Sequence, residues 1–96
     1  MKQFDTLITG GTLVDGTGKP AIRGDVGILN GKIAAVGTLD AASAGQTLDA
    51  TGKVVAPGFI DVHAHSDYLL LADLTADTKT LQGITTDIGG NCGLSA

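Results

Sequence analysis

Pro57-Gly58-Phe59-Ile60-Asp61-Val62-His63-Ala64-His65-Ser66-Asp67 is the stretch whose reading decides the fold. Phe59 to Val62 is an apolar run broken only by Asp61, the pattern of a strand covered on both faces in a parallel sheet. Residues two apart in an extended chain point to one side, so His63 and His65 aim two imidazoles the same way and can share a metal ion. The pair is half of a metal site.

Toward the C-terminus, Asp73 or Thr75 can cap a short helix running to about Gln82, with Gly83 suited to its C′ position. Ile84 to Ile88, rich in branched residues, then reads as a second strand. Strand, helix, strand is one βαβ unit, the element from which parallel sheets and barrels are built. The second strand leads into Gly89-Gly90-Asn91-Cys92-Gly93, which puts Cys92 at the same end of a neighbouring strand as the two histidines. In (β/α) barrels this end collects the reactive groups.

Imidazole nitrogen and thiolate sulfur are both good zinc ligands. His63, His65 and Cys92 are therefore the candidate ligands of a Zn2+ ion. A His-x-His pair is common by chance; its place after a buried strand, with Cys92 one βαβ step later, distinguishes this one. The competing reading of Cys92 is a buried structural residue, the ordinary fate of a lone cysteine. Asp61 and Asp67 are candidates for carboxylates that orient a ligating imidazole. Asp61, inside an apolar strand, needs a partner, because an unpaired buried carboxylate is costly.

Toward the N-terminus the pattern changes to short β-rich segments broken by turns. Phe4 to Thr9 and Thr12 to Val14 read as strands around Gly10-Gly11, and Asp15-Gly16-Thr17-Gly18 with Pro20 reads as a turn. Asp25 to Leu29, Asn30-Gly31 and Lys32 to Val36 form the clearest hairpin signal, since Asn-Gly can hold positive φ at both centres of a type I′ turn. Asp40 to Gly45 reads as a loop of small residues. Gln46 to Asp49 and Lys53 to Val55 read as a further strand pair around Ala50-Thr51-Gly52, giving a meander of about six strands. Pro57-Gly58 marks the boundary. The expected fold is thus mixed β plus α/β: a β segment over residues 1–57 and the start of a barrel over 58–96.

Composition narrows the function classes. All ten acidic residues are aspartates, and the net charge is −4 with six scattered basic residues. Phosphate contact needs clustered Lys and Arg, so nucleic acid is set aside as a partner. The longest apolar run, Tyr68 to Ala72, is far too short to span a bilayer, and Met1 to Asp5 lacks a secretory apolar region, so the expected location is cytoplasmic. One cysteine excludes an internal disulfide framework. The Gly10-Gly11 and Gly16-Thr17-Gly18 turns lack the spacing of a phosphate-binding loop. With 96 residues the chain supports a modest core, whereas a complete barrel needs about 250.

Pro57 to Asp67 resembles the opening metal motif of the amidohydrolase superfamily. Asp15-Gly16-Thr17-Gly18 and the Asn30-Gly31-Lys32-Ile33 hairpin resemble its N-terminal β-segment. Gln82-Gly83-Ile84-Thr85-Thr86 leading to Gly90-Asn91-Cys92-Gly93 is similar to the N-acyl-D-amino-acid deacylases, or D-aminoacylases. The resemblance implies a TIM barrel with a small β-sandwich assembled from both chain ends, and hydrolysis of the amide of an N-acyl-D-amino acid. It implies that His63 and His65 serve one metal position, with Cys92 a zinc-binding thiolate where many superfamily relatives use a carbamylated lysine. Zinc would lower the pKa of a bound water and polarise the carbonyl while an aspartate moved the proton. In such proteins the other histidine ligands and the catalytic aspartate lie further along. The expectation is therefore an N-terminal part of such an enzyme, inactive alone. Two alternatives stand beside it: another amidohydrolase of dihydroorotase, hydantoinase or deaminase type, against which Gly90-Asn91-Cys92-Gly93 argues, and a stand-alone metal-binding or interaction module.

Overall fold

A computed structural model describes residues 2–72, 74–90 and 93 of the chain. It divides into two compact units, Met1–Pro57 and Gly58–Ala96, each with its own sheet.

The first unit is one five-stranded sheet. Its strands are β1 (Phe4–Leu13), β2 (Ile22–Leu29), β3 (Lys32–Gly37), β4 (Ala44–Asp49) and β5 (Val54–Val55), with a 3-10 turn at Ala41–Ser43. The order is β3-β2-β1-β4, and β5 also pairs with β1. The β2–β3 hairpin turns as the Asn-Gly reading requires, with φ of 53° at Asn30 and 72° at Gly31. Asp5 reinforces that turn by accepting a hydrogen bond from the Asn30 backbone at 2.7 Å.

Two expectations are corrected. Gly10-Gly11 does not separate two strands; β1 runs through it, and the register with β2 slips between Ile8 and Gly11 as in a β-bulge. Gly10 takes a φ of 68° there, and Asp25 clamps the irregularity by accepting from Gly10 N at 2.8 Å and Leu39 N at 2.9 Å. These two backbone donors hold the Asp25 carboxyl below the usual carboxylate range, the bond from Leu39 contributing most. Nor do β4 and β5 pair with each other. Both run parallel to β1, through registers such as Ile8↔Leu48 and Leu13↔Val55, so the segment is not a simple meander.

The packing of this unit centres on β1. Leu7 is the single fully buried large side chain among the described residues, and Phe4, Leu13, Val26 and Ala50 are also buried in this unit. Gly27 admits the Phe4 ring, since a Cβ there would stand 2.5 Å from its Cε1. Ile8, Val26, Ile28, Ile33 and Val36 are register neighbours lining an apolar groove of about 360 Å³, and Ile33 remains 69% exposed. Among the described residues this unit forms a single sheet, with one face carrying that groove.

The second unit holds β6 (Phe59–Asp61) and β7 (Ile84–Asp87), with α1 (Ser66–Leu70) and α2 (Asp77–Thr80) between them in sequence. The two strands pair in parallel, as a βαβ reading requires. The helix expected to run to about Gln82 is shorter, α2 covering Asp77–Thr80 with Ala76, at φ 51°, in the N-cap position and no side-chain cap hydrogen bond from it, and a further short helix, α1, precedes it. Asp73 lies outside the described residues. Gly83 adopts the left-handed φ of 81° expected after a helix, and its amide donates to Thr80 O at 3.0 Å.

The pairing of β6 with β7 contains one irregularity. Phe59 pairs with Ile84 but Ile60 with Thr86, leaving Thr85 as an extra residue on β7. Its side chain lies over Gly58, where a Cβ would meet Thr85 Oγ1 and Cγ2 and stand 2.8 Å from its Cβ. A glycine before β6 is what lets the bulged strand close against it. Phe59 and Ile60 are about 60% exposed, unlike the doubly covered strand read from the sequence.

Candidate metal centre

The strand β6 ends at Asp61, one residue before the sequence suggests, and the aspartate itself explains why. Its Oδ1 accepts from the His63 backbone at 3.2 Å, an Asx-type turn that pulls the chain out of the extended form. Beyond it the chain still follows β7: Ile88 N donates to Asp61 O at 2.8 Å and Ala64 N to Ile88 O at 3.4 Å. Ala64 is buried, which anchors the tripeptide by its middle residue.

His63 and His65 therefore lie in a bend after the strand rather than on it. Their rings nonetheless lie close together in an edge-on, T-shaped arrangement, with centroids 5.6 Å apart and planes at 65°. Imidazole nitrogens bind zinc at about 2.0–2.1 Å, so two rings sharing one tetrahedral ion stand roughly 5–6 Å apart at their centres. The observed centroid separation falls within that range. Cys92 and Asn91 lie outside the described residues, and among the described residues no cluster of three or more metal-ligating side chains forms. Gly89, three residues before Cys92, lies beside the pair's flank: a Cβ on it would stand 3.8 Å from Asp67 Cγ and 3.9 Å from Ala64 O.

Behind the histidines lies a charged network that the sequence reading only half anticipated. The partner required by Asp61 is Lys79 of α2, whose Nζ stands 2.6 Å from Asp61 Oδ2 and 4.0 Å from Asp87 Oδ1. The ammonium bond, helped by the His63 amide, holds the Asp61 carboxyl below its ordinary value, and the same bond raises Lys79. Asp87 Oδ2 in turn accepts from the hydroxyl of Ser66, a buried residue at the start of α1. Lys79, Asp87 and Ser66 were not singled out from the sequence. The available signal was charge: Lys79 is the single lysine or arginine after Lys53, among five aspartates.

The comparisons with known proteins bear on the whole chain. The profile of the amidohydrolase family matches residues 46–96. An N-acyl-D-glutamate deacylase of Alcaligenes xylosoxydans xylosoxydans is 49% identical over 94 residues, covering 98% of this chain and 19% of that protein. A D-aminoacylase of the same organism is 49% identical over 92 residues, covering 96% and 19%. Among solved structures, an N-acyl-D-glutamate deacylase of Bordetella bronchiseptica, complexed with zinc and a phosphonate mimic of the tetrahedral intermediate, superposes with a TM-score of 0.91. It is 52% identical, over 99% of this chain and 20% of that one. The chain thus spans about a fifth of the length of these relatives. No helix among the described residues is long and apolar enough to cross a membrane.

Proposed function

The chain belongs to the amidohydrolase family, and from that premise we propose that it forms the N-terminal part of a zinc-dependent enzyme hydrolysing the amide bond of N-acyl-D-amino acids. In this reading residues 1–57 contribute to a β-sandwich, and residues 58–96 open a (β/α) barrel. The observation that carries it is the His63–His65 pair, two rings 5.6 Å apart just past the C-terminal end of a parallel strand. That is where a barrel of this kind gathers its chemistry. The exposed apolar residues of β6 and of the first sheet support it further, because parallel strands and sandwich layers are normally covered.

His63 and His65 would hold zinc, with Cys92 as a third donor. When bound, zinc supplies Lewis-acid polarisation of the scissile carbonyl and a water acidic enough to act near neutral pH. The chain's own residues hold the donors still. Ala64 buries the middle of the motif, and Asp61 fixes the backbone amide of His63. In the proposed enzyme the aspartate that moves the proton comes from a later strand. The lone cysteine suits a reducing cytoplasm, where a thiolate ligand stays available.

Stereoselective hydrolysis by the full-length enzyme tests the proposal. Incubated with N-acetyl-D-glutamate, N-acetyl-D-leucine, their L-enantiomers and a 5-substituted hydantoin, it should release acetate from a D-substrate alone. Ring opening of the hydantoin with no release from either N-acetyl-D-amino acid would assign it to the hydantoinase branch instead.

A further inference from the structure

Asp61 and Asp87 are paired residues in the register of β6 and β7. Like charges directly opposite each other on neighbouring strands destabilise a sheet. Here each carboxylate also reaches the histidine-bearing segment. Asp61 accepts from the backbone amide of His63, and Asp87 accepts from the hydroxyl of Ser66, the residue after His65. The two acids therefore grip the motif at its two ends, and Lys79 lies against both, 2.6 Å from one and 4.0 Å from the other.

We propose that Lys79 is a positioning residue of the metal centre, holding Asp61 and Asp87 side by side so that the backbone on both sides of Ala64 is fixed and the two imidazoles converge. The inference rests on the metal-site reading above. Without the ammonium, the facing carboxylates turn apart, and each loses the geometry that holds one end of the tripeptide. The His63 end is held through a backbone amide and the His65 end through a buried hydroxyl, so the effect falls on ring direction rather than on ring chemistry. An isolated ion pair on a surface contributes little to stability. This one joins the crossover helix to both strands.

The test uses the full-length enzyme and two probes, zinc(II) and cobalt(II). Groups that orient metal ligands typically alter affinity by ten- to hundredfold. Lys79→Met, which keeps the aliphatic stem, should weaken zinc binding by about that factor and alter the visible absorption of the cobalt-loaded protein. Lys79→Arg, whose fork can bridge two carboxylates, should recover most of the affinity and the wild-type cobalt spectrum. Ser66→Ala cuts only the Asp87 arm and should give a smaller loss of zinc affinity. A purely structural role would lower the melting temperature of Lys79→Met while leaving zinc affinity and cobalt spectrum as in wild type, and that result overturns the proposal. Should Lys79→Met not fold, Ser66→Ala decides: wild-type affinity and spectrum in that variant overturn it equally. A wild-type enzyme that binds neither metal refutes the metal-site reading itself, a distinct outcome.

Discussion

Gly58→Ala probes the strand pair on which the histidines depend. The added methyl would stand 2.8 Å from Thr85 Cβ and closer still to Thr85 Oγ1 and Cγ2. Carbon atoms in contact prefer about 3.5–4.0 Å, so the gap must open by roughly 1 Å. Rotating Thr85 about χ1 moves its Oγ1 and Cγ2 but not its Cβ, which the backbone of β7 fixes. The strands must therefore shift. Forcing a methyl into a packed contact costs about 1–3 kcal/mol, and the exposure of both residues favours the lower half of that range. The shift is delivered to β6 only five residues before His63, and a misplacement of about 1 Å in a catalytic group can cost up to a hundredfold in rate. In the full-length enzyme, denaturant unfolding should show a loss of about 1–2 kcal/mol, and kcat/KM should fall by about ten- to hundredfold. Thr85→Gly on the Gly58→Ala background removes both Cβ and branches and should restore activity, whereas Thr85→Ser, which keeps Cβ and Oγ, should not. Equal rescue by the two, or a Gly58→Ala enzyme as stable and active as wild type, would refute the reasoning.

Two further outcomes follow from the first sheet. Leu7→Ala removes its one fully buried large side chain and should cost about 2–5 kcal/mol by denaturant unfolding; a loss below about 1 kcal/mol would show that the sheet does not pack around β1. Asp25 has a folded-state pKa below its unfolded value of about 3.9, so its contribution is complete above that value and fades as the pH falls through the lower, folded-state pKa. Asp25→Asn should therefore narrow the stability difference from wild type as the pH drops from about 5 toward 2, and a difference independent of pH would show that the two clamped amides do not depend on the charge.

Local signals in the sequence were reliable where the chain chemistry itself sets the conformation. Asn30-Gly31 is one such case, because both positive φ values belong to the residues that occupy the turn. Gly10-Gly11 carries a similar signal but resolves differently: its neighbours on β2 and the Asp25 carboxylate turn a potential break into a bulge within one strand. The parallel pairing of β4 and β5 with β1 was not legible, since parallel partners are brought together by the path of the chain and not by a turn between them. The helix α1 is only five residues long, too short to show a period.

At the site, the histidine spacing and the need of Asp61 for a partner could both be read from residue types. Their geometry could not: Asp61 ends its own strand by bonding the His63 amide, which places the rings in a bend. The identity of the partner depends on where α2 crosses the strands, a tertiary fact. Lys79 nevertheless carried a trace in the sequence as a solitary cation among aspartates.

The central claim is that His63 and His65, with Cys92, hold zinc. Its most direct measurement is the zinc content of the full-length enzyme after dialysis against a weak chelator, compared among wild type, the His63→Ala/His65→Ala double variant and Cys92→Ala. Wild type should retain zinc and turnover, and both variants should lose most of each. Unchanged zinc content and turnover in the double histidine variant would contradict the account.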